Sequence, residues 1–212
     1  MKVAIAPIVL STASLGLMLG VAQNAQAALI PNITASTDMG NVNTLVNIAN
    51  TVNGAGLLPG GTPSLTGIHA VARPSNGWLG STATGNITFD LNGSYSLTGF
   101  SFWNYNRTNF DRGIKDVTVQ SSVDGTTWTT IAGAPTQFAI ASDNPILPEV
   151  FSFSPVTASF VRFVVDSNWQ TGTPTNTGFS EVQFGGTKIP EPSSLLALLA
   201  VGLAGVGLRK RS

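Results

Sequence analysis

The chain has 212 residues with ten basic and ten acidic side chains, one histidine and no cysteine. Balanced and sparse charge leaves no basic face of the kind nucleic acid requires. The missing cysteine excludes disulfide staples and cysteine nucleophiles. In chain order, the first element is an uncharged run after Met1-Lys2, with an apolar stretch Leu15–Ala22 and then Ala25-Gln26-Ala27. One positive charge, an apolar core and small residues at the last and third-last positions are what a signal peptidase needs, because its pockets are shallow. Residues 1–27 therefore read as a signal peptide, with signal peptidase as a transient partner. A buried N-terminal strand or helix is the competing reading.

Residues 28–187 follow as a single domain. Six basic and nine acidic side chains between residues 28 and 190 put this segment near −3. From Ser36 to Gly85 it is irregular, punctuated by Gly54-Ala55-Gly56, Pro59-Gly60-Gly61 and Pro63, and reads as loops around one or two short strands. A short helix around Thr44–Thr51 is the one helical signal. Alternating apolar positions then predict strands at Asn86–Leu91, Tyr95–Tyr105, Val117–Gln120, Trp128–Ile131, Val150–Phe153, Phe160–Val165 and Phe179–Phe184. Asp124-Gly125 is a tight-turn signal between the third and fourth of these. Phe89, Leu91, Phe100, Phe102, Val117, Val119, Phe163 and Val165 fall where two facing sheets would bury them. Arg112 and Asp116, four apart, are placed to form a local ion pair. The domain is all-β.

The last segment, residues 188–212, reads Pro190-Glu191-Pro192, then fourteen uncharged residues Leu195–Leu208, then Arg209-Lys210-Arg211. As a helix the uncharged run spans about 21 Å against a hydrocarbon core of about 30 Å, and Gly202, Gly205 and Gly207 weaken it. Such a segment suits transient membrane insertion as a short transmembrane helix, with the basic end held on the cytoplasmic side. The tripeptide, apolar helix and basic cluster resemble the PEP-CTERM sorting signal. That resemblance implies export to the envelope, outer surface or extracellular matrix of a Gram-negative bacterium, and recognition by an exosortase-like membrane protease. Pro190, Glu191 and Pro192 would be the recognition element, and Arg209, Lys210 and Arg211 the retention element. An unprocessed tail anchor is the alternative.

The domain itself resembles the discoidin, or coagulation factor 5/8 type C, family. The resembling pieces are Ile87–Leu91, Leu97–Phe100 leading to Phe102–Asn106, Arg112–Val117, Ser122–Trp128, Phe160–Phe163 and Gly178–Phe184. The fold so implied is an eight-stranded antiparallel jelly-roll sandwich of the galactose-binding-like kind. The resemblance also implies a structural Ca²⁺ site between an early loop at Asn53-Gly54 and a late acid, Glu181. Asn53 stands where many members have aspartate, which lowers the charge at that site. The competing role for Glu181 is a cap or pair at the sheet edge.

In carbohydrate-binding relatives, loops at one end of the sandwich offer an aromatic face and polar groups to a sugar. The residues available for this are Trp169, Arg107, Asn109, Arg112 and His69, with Trp169 in a polar Ser-Asn-Trp-Gln-Thr-Gly loop as the expected platform. Trp78 and Trp103 read as core. Catalysis finds no support: a serine triad would have to use His69, and no serine sits in a nucleophile elbow. The expected function is non-catalytic binding of carbohydrate, as exopolysaccharide or another glycan. A structural matrix or coat protein without a specific ligand is the rival reading.

Overall fold

The computed structural model describes residues 28–190, so the signal-peptide and tail-helix expectations lie outside the described residues. Ten strands run β1 (Ala28–Leu29), β2 (Thr34–Thr37), β3 (Leu57–Leu58), β4 (Ile68–His69), β5 (Trp78–Leu79), β6 (Gly85–Asn104), β7 (Val117–Ser122), β8 (Thr129–Thr130), β9 (Glu149–Val165) and β10 (Gly178–Lys188). Short 3-10 turns at Ile48–Thr51 and Phe110–Arg112 are the helical elements among the described residues. The first of them falls within the expected Thr44–Thr51 stretch. No helix among the described residues is long and apolar enough to cross a membrane.

Eight strands form one antiparallel sheet, ordered β1-β10-β6-β9-β7-β8, with β2 on β6 and β5 on β10; β3 and β4 form a separate pair. The two longest strands make this sheet fold over itself. In the ladder Phe163 lies beside Ile87, and Phe100 beside Phe151. Yet the rings of Phe100 and Phe163 are only 5.3 Å apart, and those of Phe89 and Phe184 are 5.2 Å apart. Residues far apart along one strand pair therefore meet face to face, which is the two-layer arrangement of a sandwich. All eight expected core positions are buried, the most exposed at 2%. Phe138 joins them, stacked on Phe102 at 3.9 Å.

Four predicted strands merge into two. Asn92 and Gly93 adopt left-handed φ values of 58° and 146° inside β6, and the β6–β9 register slips between Asp90 and Tyr95 without ending the ladder. Across Pro155 in β9 the register slips again, between Leu97 and Gly99 of β6, because proline cannot donate to the ladder.

The Asp124-Gly125 turn links β7 to β8. Asp124 Oδ1 accepts the amides of Thr126 (2.8 Å) and Thr127 (2.7 Å), which together with the Ser122 hydroxyl hold its carboxyl well below the usual range. Gly125 sits at φ 73°. A side chain there incurs about 1 kcal/mol or slightly more of left-handed strain. Gly125→Ala is expected to lower the melting temperature by about 2–4 °C, measurable by calorimetry. An unchanged melt would show that the turn relaxes freely.

Candidate functional site: a cleft where the longest strand ends

At its C-terminal end β6 passes into Tyr105–Arg112, and alternate residues there have opposite tasks. Asn104 and Asn106 turn inward. Asn104 Nδ2 donates to the carbonyls of Ile114 and Ala139, both at 2.8 Å. Asn106 Nδ2 donates to Ala70 O (3.0 Å) and Asn144 O (2.8 Å), while its Oδ1 accepts Ala72 N (3.2 Å) and Ser180 Oγ (2.7 Å). Tyr105 and Arg107, the residues between and after them, face a cleft of about 340 Å³.

Asn109, at φ 66°, and Arg112 line the same cleft, as do Arg73 and Trp78. The Phe110–Arg112 turn is closed by Arg112 N to Asn109 O at 3.0 Å. Arg112 Nε is buried without a hydrogen-bond partner. Burial pushes the Tyr105 hydroxyl up, against the pull of the Arg107 and Arg112 charges beside it. The expected Arg112–Asp116 ion pair does not form. Asp116 instead accepts Ser167 Oγ (2.6 Å) and Gln137 Nε2 (2.9 Å), and its one salt bridge is to Lys115 at 3.9 Å. Arg112 is thereby left to the cleft.

Of the five expected sugar contacts, Arg107, Asn109 and Arg112 converge here. Trp169 does not line the cleft. Its indole N–H donates to Phe138 O at 3.2 Å, and the Lys115 ammonium lies 5.2 Å from its ring centroid. His69 is fully buried, so it cannot meet a ligand at the surface. Its Nδ1 contacts Ala70 O at 2.6 Å, and burial lowers its pKa. Trp103 and Trp78 are both core, and Trp78 also borders the cleft from its buried position. Sequence reasoning misses Arg73 and Tyr105. Arg73 lies in the irregular stretch, where no periodicity shows which way a side chain points, and Tyr105 reads as the end of a strand.

On the outer face of β10, Glu181 is fully buried beneath the loop that contains Gly54. Its Oε1 accepts Gly54 N at 3.0 Å and the Gln183 side-chain amide, while Oε2 has no partner. Burial, only partly offset by those two hydrogen bonds, pushes its pKa up to about 8. An orphaned carboxylate oxygen under a main-chain loop is donor chemistry that fits a hard cation such as Ca²⁺. The Asn53 side chain does not share in it, because Asn53 is exposed and its Oδ1 accepts Ala55 N at 2.9 Å. Among the described residues no cluster of three acidic, histidine or cysteine side chains surrounds this point, so further ligands would have to be uncharged oxygens, from the main chain, from amide or hydroxyl side chains, or from water. Of the sorting residues only Pro190 is described, exposed just past β10; Glu191, Pro192, Arg209, Lys210 and Arg211 lie outside the described residues.

The F5/8 type C domain model matches residues 32–179, and the PEP-CTERM protein-sorting motif matches residues 188–212. No curated protein matches the chain. Among solved structures, CBM32-1 from a family 31 glycoside hydrolase of Clostridium perfringens is similar at 12% identity and TM-score 0.52, over 74% of this chain and 96% of that one. The C-terminal domain of a chitobiase from Bacteroides fragilis is similar at 16% identity and TM-score 0.50, over 78% and 100%. A family 89 glycoside hydrolase from Clostridium perfringens, in complex with PUGNAc, is similar at 17% identity and TM-score 0.52. That match covers 78% of this chain but only 16% of the enzyme. At these identities the likeness is one of fold.

Proposed function

This chain belongs to the F5/8 type C domain family, and we propose that it is an exported, non-catalytic carbohydrate-binding protein of the Gram-negative cell surface. Its ligand is an extracellular polysaccharide, and the cleft beside Tyr105 is where a sugar residue sits. The observation that carries this reading is the convergence of Arg107, Asn109 and Arg112 on a cleft of about 340 Å³ that Tyr105 and Trp78 border. Sugar hydroxyls take hydrogen bonds from fixed guanidinium and amide groups, and aromatic walls suit the C–H faces of a pyranose. The fold is shared with carbohydrate-binding modules of the CBM32 kind, which supports the same class of ligand.

Two further parts complete the proposal. Ca²⁺ held by Glu181 and main-chain oxygens of the Gly54 loop would neutralise the buried carboxylate and stiffen that loop. Pro190, Glu191 and Pro192 would present the tail to an exosortase-type protease, with Arg209, Lys210 and Arg211 retaining it at the membrane.

A glycan array tests the binding site. Arg107→Ala is expected to weaken retention at least about tenfold, the loss associated with a hydrogen bond to a charged donor. Trp169→Ala, whose ring lies outside the cleft, is expected to leave it unchanged. If Trp169→Ala abolishes retention and Arg107→Ala does not, the site has been placed on the wrong loop. Retention of no glycan by the unaltered protein would favour an inert matrix or coat role.

A further inference from the structure

Half of the domain's cations stand around one cleft. Arg73, Arg107 and Arg112 line it, and no aspartate or glutamate does, although residues 28–190 carry nine acidic side chains against six basic ones. None of the three guanidinium groups is in a salt bridge; among the described residues the one salt bridge is Lys115–Asp116. Of the nearby carboxylates, Asp143, whose field reaches Tyr105, is engaged with Thr108 Oγ1 at 2.9 Å, and Asp111, next to Arg112 in its turn, is not among the cleft's lining residues. Arg112 Nε is buried with no partner, and an unmade hydrogen bond from a buried charged donor is destabilising until a ligand supplies the acceptor.

We propose that the cleft takes a sugar residue bearing a carboxylate, a uronate of an acidic polysaccharide, which deepens and rests on the glycan-binding reading above. A neutral sugar would leave the buried Arg112 Nε without an anionic partner and the three guanidinium groups in excess over Asp111 and Asp143, the two carboxylates of the neighbourhood. A carboxylate answers both with two coplanar oxygens that match the fork of a guanidinium. Val42, Val46 and Leu79 line the cleft beside the buried Trp78 and Tyr105 and give the pyranose body an apolar border beside the charged one. The volume, about 340 Å³, falls in the range of small-ligand sites, about 300–1,000 Å³. On an acidic domain the same cluster attracts the approaching polyanion where the surrounding surface repels it, so it fixes where on the protein contact is made.

The test is calorimetric titration of the full chain with oligogalacturonate, oligomannuronate and oligoglucuronate, each against its methyl ester, and with a sulfated galactan oligosaccharide. At least one free acid is expected to bind about tenfold tighter than its ester, and the advantage should shrink as salt shortens the Debye length below about 8 Å. Arg107→Gln and Arg112→Gln are expected to erase the difference between acid and ester. Arg107 is exposed, so its substitution leaves the fold intact, and an unchanged melt verifies this. Equal binding of acid and ester would overturn the charge inference while leaving the glycan site standing. Preference for the sulfated oligosaccharide over every uronate would overturn the carboxylate assignment. No heat with any oligosaccharide, charged or esterified, would overturn the glycan-binding reading along with it.

Discussion

In the presence of EDTA, the protein is expected to lose stability as the pH rises from about 5 to about 9, and the Glu181→Gln variant is expected not to share that loss. The Glu181 carboxyl has a folded-state pKa pushed up from 4.5 to about 8 by burial. Since the folded state holds the proton more tightly than the unfolded chain, the contribution is fully present below 4.5 and disappears as the pH passes through about 8. Every tenfold difference in proton affinity between the two states corresponds to about 1.4 kcal/mol, so the effect across this window is of order 4 kcal/mol. His69 acts with the opposite sign. Its folded pKa is lowered by burial from 6.5, so its contribution is present above 6.5 and is lost as the pH falls. Both proteins keep His69, so the difference between their melting curves isolates Glu181.

Ca²⁺ adds a second arm to this experiment. A cation at the orphaned Glu181 Oε2 favours the ionised carboxylate, so millimolar Ca²⁺ is expected to raise the melting temperature of the unaltered protein most at high pH. A ligand present at 100 times its dissociation constant adds about 2.7 kcal/mol. Glu181→Gln keeps an oxygen for the Gly54 amide but loses the charge, and should respond to Ca²⁺ weakly or not at all. Parallel pH profiles for the two proteins would mean that Glu181 is not the group that titrates. Equal Ca²⁺ shifts in both would place any cation elsewhere.

The sequence made legible whatever depends on neighbours along the chain. Asp124-Gly125 specifies its turn locally, by a side chain that caps two amides and a glycine at positive φ. The alternation of Phe100 with Phe102, or Val117 with Val119, shows which face is buried because side chains in a strand alternate with period two. What depended on partners distant in sequence was not legible. Asn92-Gly93 and Pro155 look like strand ends, yet β6 and β9 continue through them because the pairing on either side holds the chain extended. Arg112 and Asp116 are four apart, but Ser167 and Gln137, brought from distant segments, claim the carboxylate first. The same limit hid half of the cleft. Arg107, Asn109 and Arg112 stand together in the sequence, whereas Arg73 reaches them only because Ala72 is bonded to Asn106.

That last contact leads to the second large effect: Asn106→Ala is expected to destabilise the protein by about 2–3 kcal/mol. The Asn106 side chain is fully buried and holds four groups from three distant segments: Ala70 O, Asn144 O, Ala72 N and Ser180 Oγ. Ala72 N keeps the Asn106 main-chain oxygen at 3.3 Å and Ser180 Oγ keeps Asn104 O at 3.0 Å, so removing the side chain falls mainly on Ala70 O and Asn144 O, at about 1–3 kcal/mol apiece. Rearrangement and entering water would recover some of this, but the remainder is a large fraction of a domain stability of about 5–15 kcal/mol. Thr108→Ala, two residues on and exposed, serves as the comparison and should cost no more than about 0.5 kcal/mol. Asn106→Asp separates hydrogen bonding from volume, because it keeps the acceptor for Ala72 and Ser180 but turns a carboxylate oxygen toward two carbonyls. It is therefore expected to be as damaging as alanine despite its matching shape. Urea denaturation monitored by tryptophan fluorescence gives all three values. Since Asn106 lies between Tyr105 and Arg107, the fraction of Asn106→Ala that still folds should bind its glycan more weakly than its melt alone accounts for. A midpoint close to that of the unaltered protein would mean that the three segments hold one another without Asn106, and that the cleft is braced from elsewhere.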